Sequence, residues 1–114
     1  MLDRGRAETY AGWFRALSDA TRVQILNLLA EQGEPMTVGQ IVARVPVGQS
    51  TVSAHLKVLA EARFVLAEQR GTARWYQVNQ RCVSCFPSAA DVVMGRAPAA
   101  FDTVDRGPTT QESA

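Results

Sequence analysis

Cys82 and Cys85 are the only cysteines in this 114-residue chain, and two residues separate them. In a reducing compartment such a pair reads as metal or redox chemistry before it reads as a structural staple. If residues 81–85 are helical, positions three apart hold their Cβ atoms about 5–6 Å from each other, so both sulfurs can reach one soft ion. Two thiolates satisfy Hg(II) and fall one short of a trigonal As(III) or Sb(III) site. They reach the four of Zn(II) or Cd(II) only if a second copy contributes. The alternative chemistry is a dithiol that closes a disulfide as a redox switch. The reading without chemistry is two small hydrophobes under an interface.

A second group has the residue types that meet nucleic acid. Residues 49–59 read Gln-Ser-Thr-Val-Ser-Ala-His-Leu-Lys-Val-Leu, which puts Val52, Leu56 and Leu59 on one face of a helix. Gln49, Ser50, Thr51 and Ser53 fall on the polar face, with Lys57 further along. A merely solvated face usually carries Glu and Lys, whereas short neutral hydrogen-bonding side chains suit base edges and phosphates. His55, the only histidine, has no carboxylate pair or serine with which to build a triad. It is assigned to positioning or to a phosphate contact. Arg70 and Arg74 flank Gly71, where cations gain from releasing the counterions of DNA. Net charge is only +1, but residues 44–96 hold seven basic against three acidic side chains between acidic flanks. The middle of the chain is where a polyanion would be met.

The elements that must hold these groups follow from apolar spacing. Tyr10, Trp13, Phe14 and Leu17 predict a first helix over residues 8–17, ended by Ser18 and Asp19. With Asp19 or Ser18 as cap, Val23, Ile25, Leu26, Leu28, Leu29 and Ala30 predict a largely buried second helix, closed by Gly33. Thr37 can cap a third, whose Val38, Ile41, Val42 and Val45 face inward and which stops before Pro46. Pro46, Val47 and Gly48 lead into the 49–59 helix. Two short helices across such a turn, the second amphipathic, form a helix-turn-helix. The period then changes from helix to strand at residues 64–69 and 73–78, a hairpin with Gly71 at positive φ that serves as a wing. Beyond Asn79, a helix is expected to start over residues 81–85, to be interrupted by Pro87, and to give way to a short one ending at Gly95. The composition from Pro98 onward is that of a flexible tail. The expected organisation is one domain over residues 8–96 and a flexible C-terminal tail over 97–114.

In this order and with these residues, the chain resembles the ArsR/SmtB family of small repressors. Residues 14–26, Phe-Arg-Ala-Leu-Ser-Asp-Ala-Thr-Arg-Val-Gln-Ile-Leu, are similar to the family's entry segment. Residues 49–59 resemble its recognition helix, and Arg70, Gly71, Trp75 and Tyr76 extend the likeness over most of residues 13–78. The resemblance implies a mainly α winged helix-turn-helix with a small β-hairpin, dimerising through its terminal helices. It implies a repressor that binds double-stranded DNA as a homodimer, at an imperfect inverted-repeat operator. The apolar faces of Tyr10, Trp13 and Phe14, and of Phe86, Val92, Val93 and Met94, are the surfaces such a dimer would bury.

There are departures from the family pattern. Gly48 stands where a serine cap is common. Val38, Gly39 and Gln40 occupy the place of a Cys-x-Cys metal motif, and the last helix lacks the Asp and His set of other members. Cys82 and Cys85 are left as the inducer site for a thiophilic ion such as As(III), Sb(III), Hg(II) or Cd(II), with no cofactor required for the fold.

Composition removes other classes. An apolar fraction of 46% and a charged fraction of 20% are those of soluble globular proteins. No run approaches the roughly 18 apolar residues of a membrane span, and no apolar segment follows the charged start. A cytoplasmic protein without a membrane partner is expected. A thiol oxidoreductase would place its Cys-x-x-Cys at the start of a helix in a βαβ unit, and no such pattern is present. A winged-helix module that binds protein instead of DNA is the remaining rival.

Overall fold

The computed structural model describes residues 1–96, with the backbone alone for residues 82–84. The tail expected over 97–114 lies outside the described residues. The elements run α1 (Arg4–Ala16), α2 (Ala20–Gln32), β1 (Met36–Thr37), α3 (Val38–Val42), α4 (Gln49–Glu61), β2 (Val65–Arg70), β3 (Ala73–Val78) and α5 (Gln80–Val93). They fall into two compact units. The first covers Asp3–Asn79; α5 belongs to the second.

Capping side chains set the starts of the first helices. Asp3 accepts from the Arg6 N–H at 2.9 Å, so α1 begins four residues before the expected Glu8. The apolar period could not show this, because the first turn is polar. Asp19 accepts from the Arg22 N–H at 3.1 Å, and Gly33 closes α2 at φ 73°, both as expected. Thr37 and Gln40 form a reciprocal capping box on α3, at 3.2 and 3.0 Å.

The core of this unit is Ala16, Ile25, Leu29, Met36, Ile41, Val52, Leu56, Leu59, Phe64 and Val65. Contrary to expectation, α2 is not largely buried. Only Ile25 and Leu29, one turn apart, are enclosed, while Val23 is 46% exposed. The main neighbours of α2 are α4 and β3, which cover one stripe of a helix whose apolar residues run further round. The third helix also ends early, at Val42, with Val45 in the turn that follows.

Two residues between Pro35 and α3 form a strand that sequence spacing did not suggest. Met36 pairs with Tyr76 and Thr37 with Trp75, which gives an antiparallel sheet of order β1-β3-β2. At two residues, β1 is too short for alternation to be visible. The hairpin pairs Val65 with Val78 through Arg70 with Ala73, so β2 starts and ends one residue later than the expected 64–69 and the turn is Gly71 and Thr72 alone. Of its two turn residues only Gly71 has positive φ, at 61°, which is the type II′ signature.

The expected break at Pro87 is absent, because α5 runs unbroken through it. Proline removes one N–H and so leaves the carbonyl of residue 83 without its helical donor, and the helix continues for six residues to Val93. Gly95, at φ 83°, lies just past its end. Among the described residues no helix is long and apolar enough to cross a membrane.

Candidate nucleic-acid interface

The α4 helix is built with two faces. Val52, Leu56 and Leu59 are fully enclosed, while Gln49, Ser50, Thr51, Ser53 and Lys57 are all exposed. These five predicted residues share one outward surface. Ala54 is exposed among them, and its methyl is the size that meets a thymine methyl in a major groove. Spacing alone passed it over because it is not polar. Gly48 caps the helix without a side-chain hydrogen bond, at a cost of a few tenths of a kcal/mol relative to serine.

The end of α4 fixes where the wing departs. The Phe64 N–H donates to the Leu59 carbonyl at 2.9 Å and the Arg63 N–H to that of Ala60 at 3.1 Å, the bonds of a Schellman close. Arg63 adopts the left-handed conformation, φ 68°, that glycine usually takes there. Phe64 and Leu59, the apolar pair of this motif, are both buried. Asn79 then ties the far end of the hairpin to the same corner, its Nδ2 donating to the Arg63 carbonyl at 2.8 Å and its backbone N–H to that of Phe64 at 2.9 Å.

In the wing itself, the pleat separates two arginines that sequence reading treated alike. Arg70 lies opposite Ala73, and Arg74 opposite Gln69, so their side chains leave opposite faces of the hairpin. The Arg70 guanidinium pairs with Glu68 at 2.9 and 3.1 Å and lies over the Trp75 ring, 5.1 Å from its centre. Arg74 is exposed.

His55 does not join the outward surface. Its side chain is only 15% exposed and lies against the start of α2, with Nδ1 3.2 Å from Nη1 of Arg22 and Nε2 3.8 Å from Oδ1 of Asp19. Both ring nitrogens thus face residues of the α2 start. Arg22 and Asp19 are functional candidates that sequence reading missed. They lie more than thirty positions from His55 in the chain, and no periodicity links them. The backbone N–H of Arg22 holds the Asp19 carboxyl below its ordinary value, opposed by partial desolvation and helped by the Arg22 charge. Asp19 therefore stabilises the fold above the ordinary carboxylate range, and that contribution is lost as pH falls through the lowered value.

Positions 82 and 85 both lie in α5, three residues apart and so on one side of it. Cys85 is an exposed free thiol. Among the described residues no group of three or more His, Cys, Asp or Glu could hold a metal ion.

Comparison with known proteins places this arrangement. Residues 19–66 match the family described as "Bacterial regulatory protein, arsR family". The HTH-type transcriptional regulator Rv2034 of Mycobacterium tuberculosis is 42% identical over 66 residues, covering 58% of this chain and 60% of that protein. The arsenical resistance operon repressor of Bacillus subtilis is 33% identical over 75 residues, covering 66% of this chain and 70% of that protein. Among solved structures, the homodimeric winged helix-turn-helix domain Mb0332 of Mycobacterium bovis superposes with a TM-score of 0.64 at 29% identity. That match covers 82% of this chain and 87% of that one.

Proposed function

Because the chain belongs to the arsR family of bacterial regulatory proteins, and so is a transcriptional regulator and not an enzyme, we propose that it is a homodimeric repressor released from its operator by a thiophilic ion. The observation that carries the DNA-binding part is the exposed surface of α4, made of Gln49, Ser50, Thr51, Ser53 and Lys57 on a helix whose other face is locked into the core. Each protomer lays this surface in a major groove, and Arg74, with Arg70 once freed from Glu68, meets the adjacent backbone.

A second copy accounts for apolar surface that one chain leaves open. Phe14 of α1 is 39% exposed, Val93 of α5 is 51% and Met94 is 77%. The solved relative from Mycobacterium bovis is itself described as homodimeric. A two-fold dimer requires two half-sites related by the same axis, about 34–36 Å apart.

For the inducer, positions 82 and 85 fall on one side of α5, where their cysteines would offer two sulfurs. A helical separation of about 5–6 Å between Cβ atoms suits a bridging soft ion. A disulfide switch is the second reading of the pair. The arsenical resistance operon repressor among the relatives supports the first.

The test is to select duplexes from a randomised pool with the reduced, chelated protein, and to measure its mass by ultracentrifugation under the same conditions. A dimer and an enriched imperfect inverted repeat are expected. A pool that never enriches contradicts the DNA assignment, and a monomer would mean that the thiols or an ion build the interface.

A further inference from the structure

We propose that Asp19, Arg22 and His55 form a positioning cluster that fixes the roll of α4 against the helices before it, so that His55 and Arg22 govern sequence discrimination without touching DNA. The proposal rests on the reading of α4 as the DNA-reading helix.

The cluster ties three helices at one point. Nε of Arg22 donates to the carbonyl of Ala16, the last residue of α1, at 2.6 Å, and Nη1 of the same guanidinium lies 3.2 Å from Nδ1 of His55 on α4. Asp19, the cap of α2, accepts from the Arg22 backbone N–H at 3.1 Å and lies 3.8 Å from Nε2 of His55. A guanidinium can only donate, so Nδ1 must accept from it. The proton of the neutral ring is then on Nε2, facing the Asp19 carboxylate. Each member thus has a directed role. Arg22 bridges the α1 carbonyl and the α4 ring.

Beside the cluster, α4 meets the core through the fully buried Val52, Leu56 and Leu59, with Val58 and Ala60 half-buried. Such packing holds the helix in place but supplies no directed bond across the helix pair, so the polar cluster is what sets the last few degrees of its roll. The outward side chains stand about 5–6 Å from that axis. A roll of about 10° therefore moves Gln49 or Ser53 by about 1 Å, more than the 2.7–3.2 Å range of a base-edge hydrogen bond tolerates. A phosphate contact through flexible Lys57 or Arg74 absorbs the same shift. Loss of the cluster should therefore cost specific binding and spare non-specific binding.

The experiment uses the full chain, a duplex selected by the wild-type protein from a randomised pool, and a scrambled duplex of the same composition. His55→Ala is expected to weaken binding to the selected duplex about ten-fold, the scale of a hydrogen bond to a charged group. Affinity for the scrambled duplex and the salt slope should stay at wild-type values. His55→Gln, which keeps an acceptor and a donor, should recover the selected duplex to within about threefold, whereas His55→Phe, which keeps bulk alone, should not. If His55→Ala fails to fold, Arg22→Lys supplies the same readout, since it keeps the charge but cannot bridge both partners; a ten-fold loss on the selected duplex alone is again expected.

Equal losses on both duplexes, or a shallower salt slope, would make His55 a phosphate contact and overturn the proposal. An unchanged ratio between the duplexes in every variant would make the cluster ordinary packing and overturn it as well. A wild-type protein that binds neither duplex overturns the reading beneath it, and the proposal with it.

Discussion

Binding to operator DNA is expected to weaken about a thousand-fold between 50 and 200 mM salt. Each protomer offers Lys57 on α4 and Arg70 and Arg74 on the wing, all exposed, so a dimer brings six cations to the duplex. Six neutralised phosphates give a slope of about −5 in log affinity against log salt, which over this range amounts to about three decades. Arg70 makes the value informative. Its pairing with Glu68 and its place over Trp75 must be exchanged for a phosphate, so Glu68→Gln is expected to strengthen binding to all sequences alike. Titrations by fluorescence anisotropy at four or five salt concentrations give the slope. A slope near zero would instead support a winged-helix module whose partner is a protein.

The second large effect is expected from the double variant Cys82→Ser, Cys85→Ser. It should bind DNA as the wild type does and no longer dissociate on addition of As(III), Sb(III), Hg(II) or Cd(II). An ion that gathers both thiolates constrains the first two turns of α5. The apolar residues Val93 and Met94 at the other end of that segment are exposed, and in the proposed dimer a partner copy covers them. Changing how two copies meet changes the spacing of two α4 helices, which must match one turn of DNA. To act as a switch, the ion must favour the DNA-free arrangement by a coupling of about 1–3 kcal/mol, a 5- to 150-fold loss of affinity. Gel shifts with each ion, on wild type and variant, decide the matter. A variant that still dissociates normally with the same ion would place the inducer site elsewhere and leave the cysteines structural.

What was legible in the sequence was what local rules encode. The Asp19 cap, the Gly33 close, the Thr37 start and the positive φ of Gly71 each depend on one side chain and its nearest turn, and each appears as expected. The division of α4 into a buried and an exposed face followed from period alone. What was not legible depends on partners distant in the chain. β1 exists only because Met36 and Thr37 find β3 some forty residues later. His55 turns inward only because Arg22 and Asp19 await it. The pleat that sends Arg70 and Arg74 to opposite faces is set by a register that their sequence spacing does not reveal. Pro87 misled in the other sense, since a helix-breaking residue sits within an unbroken α5.

The central claim is that the outward face of α4 reads base sequence while the wing holds the backbone. Its most direct test is to compare Gln49→Ala and Ser53→Ala with Arg74→Ala, by quantitative footprinting on the selected duplex and on its scrambled counterpart. Each α4 variant is expected to lose about 1–3 kcal/mol on the selected duplex, with relaxed specificity and little change on the scrambled one. Arg74→Ala should weaken both equally and flatten the salt slope by about two units per dimer. Equal losses on both duplexes for Gln49→Ala and Ser53→Ala would contradict base reading by this helix.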